Sequence, residues 1–280
     1  MRHPVVPIFV ICIFVSCVAP QSEADSAVNV KETSVPLSPE DAGTTVIEEA
    51  VSKLPCPADM VYVNGEFCTN LEEICLNWLD KPVCLKTDPK TKNCLDWSTP
   101  LRCGEFKYPT VCKGKTKHMN FCIDRYEYPN QLGVKPQLLQ TWINAKSQCE
   151  KQSKRLCIDN EWTQACRGPE NLPYPYGYKR DATACRIDLP WQDPAKHTFE
   201  ELDKTVPAGS MPACVSYYGA HDMTGNGDEW AQSSGGTPYI SVLVGGHAYG
   251  VRNRCSPRTT GHSPDFSYYD TGFRCCKDVP

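Results

Sequence analysis

Basic charge is not in excess in this 280-residue chain: 29 Lys and Arg stand against 33 Asp and Glu, a net charge of −4. That balance gives no electrostatic basis for binding nucleic acid. After the N-terminus there is no run of about eighteen apolar residues, so no spanning helix is expected in the mature protein. Close C-x-x-C pairs are absent, which argues against zinc ribbons. Long periodic segments are few, and the C-terminal half is dense in Gly, Pro, Tyr and Asp. A domain so poor in regular elements needs cross-links or bound ions to hold its loops. The length itself allows one or two domains.

Cysteine, by contrast, is abundant, with eighteen in all. The chain opens with Arg2 and the short apolar run VVPIFVICIFVSC, which reads as a secretory signal over residues 1–17. The phrase FVSC ending at Cys17 resembles a lipoprotein cleavage box, with Cys17 lipidated. Ordinary cleavage after Ala19 or Ala24 is the alternative. With Cys12 in the leader and Cys17 set aside, sixteen cysteines remain. An even number in an exported chain reads as disulfides. The expected location is therefore periplasmic, cell-surface or secreted. Residues 18–55 are polar, acidic and short of aromatics, and read as a disordered linker.

Residues 56–117 read as a cysteine-rich insert. The alternating run MVYV followed by Asn64-Gly65 is a hairpin signal that would bring Cys56 and Cys68 together. Cys75, Cys84, Cys94, Cys103 and Cys112 follow at intervals of nine or ten residues, and spacing alone leaves their pairing open. From His118 to Pro280 the chain reads as one unit. NFCIDRYEYPN is strand-like. Trp142, Ala145 and Cys149 recur at i, i+3 and i+7, one face of a helix. A second short helix follows, with Asp159 as N-cap, Trp162, Ala165 and Cys166 on one face, and Gly168 as its stop. Arg155 is expected to bridge loops and Trp162 to sit in the core.

The phrases FCIDRYEYPN, KRLCIDNEWTQACRG, YPYG, GNGDEW, RNRC and GFRC occur in one order between Met119 and Cys276. In that order they resemble the formylglycine-generating enzyme family, also called sulfatase-modifying factors. The resemblance implies an irregular α+β fold, a variant of the C-type-lectin-like fold. It implies structural calcium at GNGDEW, with Asn226 and Glu229 as ligands. Arg186 stands where a second family calcium site has Asn, and its charge opposes a cation there. The resemblance pairs Cys149 with Cys275 and Cys166 with Cys255. Cys122 with Cys157, and Cys185 with Cys214, are further expected pairs. Adjacent strand residues face opposite ways, so Cys276 is expected to reach the insert rather than share a partner's side with Cys275.

Family enzymes oxidise a substrate cysteine with copper(I) held by two cysteines just upstream of the R-x-R-C phrase. Here that window is GGHAYGVRNRC, which has no cysteine before Cys255. Copper(I) prefers thiolates, so a copper site is not expected. His247 replaces the family serine, and His247, Trp230 and Arg254 are the candidate groove residues. Arg252, Arg258 and Arg274 could hold carboxylates or equally bridge loops. His221, His247 and His262 offer imidazoles for a metal. The reading is an exported domain of this family without the copper cysteines, binding a peptide, a glycan or another exported protein. No nucleic acid is expected, and membrane contact only through the anchor. The alternative is an active oxidase making formylglycine on a sulfatase, or a non-haem metal-dependent oxidoreductase.

Overall fold

The structure, a computed structural model, describes residues 55–98 and 100–280. The signal segment with Cys17, and the linker before residue 55, lie outside the described residues. No helix among the described residues is long and apolar enough to cross a membrane.

Strand β1 (Met60–Cys68) turns Val61, Val63 and Phe67 inward and leaves Asn64 and Glu66 exposed, the period-two pattern of a half-buried strand. It does not fold back at Asn64-Gly65 as the dipeptide suggested. All nine of its residues pair antiparallel with Thr116–Asp124. Gly65 serves a close approach instead, since a Cβ there would lie 2.6 Å from the Tyr218 hydroxyl. The expected Cys56–Cys68 bond is therefore wrong. The two residues flank an extended strand roughly 30 Å long; Cys56 bonds Cys122 and Cys68 bonds Cys112. Met60–Cys68 thus belong to the main sheet, and the insert proper begins after Cys68.

That insert is a stack of nested two-stranded ladders. β2 (Leu71–Glu72) pairs with β7 (Val111–Cys112), β3 (Cys75–Trp78) with β6 (Cys103–Phe106), and β4 (Cys84–Thr87) with β5 (Cys94–Trp97). A two-stranded ladder alone is marginal, and a disulfide braces each of the outer two, Cys75–Cys103 and Cys84–Cys94.

The main body has two four-stranded sheets. In the first, β1 lies beside β8 (Thr116–Asp124), then β14 (Cys275–Asp278), then β9 (Arg155–Leu156). In the second the order is β12 (Arg258–Thr259), β11 (Ser241–Val244), β10 (Asp228–Gln232) and β13 (Thr271–Phe273). Helix α1 (Trp142–Lys151) buries Trp142, Ala145 and Cys149, and Thr141 Oγ1 caps it by accepting from Asn144 N–H at 3.0 Å. Helix α2 (Asp159–Arg167) buries Trp162, Ala165 and Cys166 in one core with Val61, Phe121, Val242 and Val244. Its N-cap is Ile158 rather than Asp159. Glu161 accepts from the Ile158 N–H at 3.0 Å, while Asp159 accepts from Ser234 N–H and pairs with Arg258. Gly168 ends the helix at φ 65°. Arg155 bridges Glu161 and Asp278.

The adjacent Cys275 and Cys276 do face opposite ways. Cys275 bonds Cys149 on α1, and Cys276 bonds Cys157 beyond β9. The expected Cys122–Cys157 bond and the reach of Cys276 to the insert are both overturned. The β9–β14 ladder sets Cys276 opposite Arg155, which leaves Cys157 within bonding reach. Cys166–Cys255 and Cys185–Cys214 complete the set. The result is a mixed α+β architecture with little regular structure and, among the described residues, eight disulfides, as suits an oxidising compartment.

Candidate functional site

The GNGDEW stretch makes a tight corner before β10. Gly225 has φ +81°, and a Cβ there would lie 2.3 Å from the Arg186 carbonyl oxygen, so glycine is required. The Asn226 N–H donates to that carbonyl at 3.0 Å, and the Arg186 side chain donates from Nε to the Lys204 carbonyl at 2.9 Å. Beyond the corner, alternation along β10 turns Glu229 into the core and Asp228 toward a surface cleft.

Glu229 does not fit the calcium role expected of it. One carboxylate oxygen accepts from Arg274 Nη2 at 2.6 Å; the other accepts from Arg274 Nε at 2.7 Å and Trp162 Nε1 at 2.8 Å. Asn226 Oδ1 accepts from Val206 N–H at 2.9 Å, and its amide donates to Glu127 at 2.6 Å. Both side chains are thus occupied by protein partners. Glu127 also accepts from Gly227 N–H at 3.0 Å. Burial, with Asp222 and Glu229 nearby, raises the Glu127 carboxyl well above the usual carboxylate range. Among the described residues no cluster of three His, Cys, Asp or Glu side chains is set to hold a metal.

The cleft, of about 550 Å³, is where the GGHAYGVRNRC window folds. Asp228, His247, Arg252, His262 and Asp270 supply most of its polar groups, and Tyr249, Tyr269, Phe266 and Trp191 much of its wall. His247 Nδ1 lies 3.1 Å from Asp270 Oδ2, though not aligned as a hydrogen bond. The His247 carbonyl is held by Asn253 Nδ2 at 2.7 Å and Gly250 N–H at 2.8 Å. Asp228 accepts from Arg252 Nη2 at 2.6 Å and Gly246 N–H at 3.2 Å. Arg252 Nη1 and His247 Nδ1 are buried without a hydrogen-bond partner. The Tyr249 and Tyr269 rings pack edge to face at 6.3 Å, and Tyr249 is anchored through its hydroxyl to the Leu202 carbonyl at 3.2 Å. Unspent polar groups between fixed aromatic walls are the makings of a ligand site.

Burial pushes the Asp270 carboxyl up to about 6, against the pull of His247 and Arg252 and helped by Asp228. A carboxyl raised in the folded state contributes stability that is full below its unfolded value and is lost as pH rises through about 6. Asp270→Asn is expected to remove a pH-dependent loss of roughly 2–3 kcal/mol spread over about pH 4–6. Urea unfolding of both proteins across that range checks it: the difference between the two stabilities should change over that window and be level outside it.

Of the expected groove residues only His247 lines this cleft. Trp230 is buried, its Nε1 donating to the Gln140 carbonyl at 2.7 Å, and it lies behind Phe266 at 6.4 Å. Arg254 points to the insert, pairing with Glu73 at 2.5 Å and stacking over Phe106 at 5.3 Å. Arg258 and Arg274 bridge Asp159 and Glu229. His262 lines the cleft stacked on Phe266, whereas His221 lies apart beside Tyr126. Asp228, Asp270, Tyr249 and Tyr269 escaped the sequence reading. The nearest signal was the aromatic phrase FSYYD just before GFRC.

The sulfatase-modifying factor enzyme 1-like domain family matches residues 96–279. The chain belongs to this family. The mouse (Mus musculus) formylglycine-generating enzyme is 30% identical over 168 residues, 51% of this chain and 44% of that protein. The bovine (Bos taurus) inactive C-alpha-formylglycine-generating enzyme 2 is 30% identical over 147 residues, 48% of each chain. The chain thus spans under half the length of these curated relatives. Among solved structures, CarF aligns at 16% identity and a TM-score of 0.47, over 80% of this chain and 99% of that one. An enzyme and an inactive relative match this family member equally well, so the likeness does not separate the two activities. The cysteines bear on the copper chemistry directly. All sixteen between Cys56 and Cys276 are in disulfides, and none lines the cleft. A two-thiolate copper(I) site does not fit these residues.

Proposed function

We propose that the chain is an exported, ligand-binding member of the sulfatase-modifying factor family that lacks the paired copper-binding cysteines. One observation carries this reading: the cleft formed by the family's active-site window holds His247, Asp270, Asp228, Arg252 and aromatic walls, but no sulfur. Its occupant is a peptide or glycan segment of an exported partner. Flat faces pack against the aromatic wall, while the exposed parts of the Arg252 guanidinium and the His247 ring meet its polar groups. The cell-surface tether at Cys17 belongs to the same reading.

The test uses the full chain with Cys12 and Cys17 changed to serine. Unfolded without reductant, it is expected to yield no titratable thiol, and folded, to take up no oxygen with copper(I) and a Cys-x-Pro-x-Arg peptide. Two reactive thiols together with oxygen uptake would overturn the reading. Binding to peptide and glycan arrays is expected to fall at least tenfold in His247→Ala and in Tyr249→Ala; no saturable binding of either ligand class would also defeat it.

A further inference from the structure

Among the described residues, the outermost ladder of the insert, β4 with β5, has no second layer. Val83, Leu85, Leu95 and Trp97 are 64%, 65%, 57% and 60% exposed. Leu76 and Trp78 on the next ladder are exposed as well, at 60% and 43%. Contiguous exposed apolar side chains on a folded protein mark a contact surface. Trp97 and the leucines do not buttress the hairpin, which the Cys84–Cys94 bond and the Ser98 hydroxyl, accepting from Val83 N–H at 2.7 Å, already close.

Charge says what kind of surface these side chains meet. Lys81, Lys86, Lys90 and Lys92 are all exposed on the hairpin. The acidic residues between Lys81 and Trp97 are Asp88 and Asp96 alone. Asp88 is spent on the turn, its carboxylate accepting from Lys90 N–H at 2.7 Å and Thr91 N–H at 2.9 Å. Asp80, at the hairpin's base, is paired with Arg102 at 2.7 Å. The tip is thus locally basic on a chain whose net charge is −4. Lysine is depleted at protein–protein interfaces. At a lipid surface its long stem lies along apolar neighbours while the ammonium reaches the head groups, and tryptophan favours the same depth. Apolar tips ringed by lysine suit shallow insertion into an anionic membrane.

We propose that the Val83–Trp97 hairpin is a membrane-docking element that recognises anionic lipid head groups. It holds the cleft at a membrane surface, independently of what the cleft binds.

The experiment sediments the full chain with vesicles of phosphatidylcholine alone and with 30% phosphatidylglycerol added, at low and at physiological salt. An apolar anchor elsewhere in the chain adds the same affinity for both vesicles, so their ratio reads the hairpin. Binding is expected to be at least about tenfold tighter to the anionic vesicles at low salt, and weaker as salt rises. K86E/K90E should bring the ratio near one. L85S/W97S should lower binding to the anionic vesicles several-fold, and L85S alone, which keeps Trp97, should reduce the quenching of tryptophan by brominated acyl chains. These positions are exposed, and unchanged circular dichroism and disulfide maps are expected in both variants. Equal binding to the two vesicles, or a ratio unchanged by K86E/K90E, overturns the proposal, as does a hairpin that binds an acidic protein but leaves the vesicles in solution.

Discussion

Replacing Arg274 with methionine is expected to cost about 3–5 kcal/mol of folding stability, the penalty for leaving a buried charge without its partner. Arg274 is fully buried. Its guanidinium donates twice to Glu229, from Nε at 2.7 Å and from Nη2 at 2.6 Å, and from Nη2 to the His221 carbonyl at 2.9 Å. The same cation offsets Glu127 and Asp222, both of which draw on its charge. With methionine there, three carboxyl groups would face one another with only Trp162 Nε1, the Asn226 amide and backbone donors to stabilise them. Denaturant midpoints at pH 7 measure the loss. E229Q/R274M should recover a large part of it. Lys146→Met, which removes an exposed pair with Glu150 on α1, should change stability by less than about 0.5 kcal/mol. Similar costs at both sites would mean that burial does not govern these pairs.

The second large effect is expected from C149S/C275S. This bond ties α1 to β14 across a sequence separation of 126 residues. Freeing that loop in the unfolded chain is worth up to about 4–5 kcal/mol in the chain-entropy model, and 2–5 kcal/mol is usual for a native disulfide. The two serine hydroxyls would also be buried among Trp142, Leu156 and Phe273 with little to bond, which adds to the cost. C84S/C94S is the contrast. It opens a separation of only 10 residues, in a ladder outside the main sheets. Thermal unfolding of the main body should move by many degrees in the first variant and little in the second. The reverse order would mean that the insert, not the two-sheet core, governs the cooperative unit.

Helices α1 and α2 were legible in the sequence because their apolar spacing reports a local geometry that the core then uses. The Asn64-Gly65 dipeptide misled for the complementary reason. A two-residue signal cannot register a partner strand whose pairing begins at Thr116, or a tyrosine at position 218 that needs the missing Cβ. Glu229 was expected as a calcium ligand, yet its carboxylate is held by Arg274, 45 residues away. Arg254 lies in the family's active-site window, but its side chain follows Glu73 and Phe106 in the insert. Asp270 was invisible as a site residue, because nothing near it in sequence announces His247 as its neighbour.

Residue identity alone was enough to establish the family and the disulfide-rich character, since these depend on which atoms the chain possesses and in what order. Which cysteine met which, whether an arginine served the core or the cleft, and which carboxylate faced His247 were settled by folding. Those outcomes turn on distances across the chain, and strand register and packing set such distances.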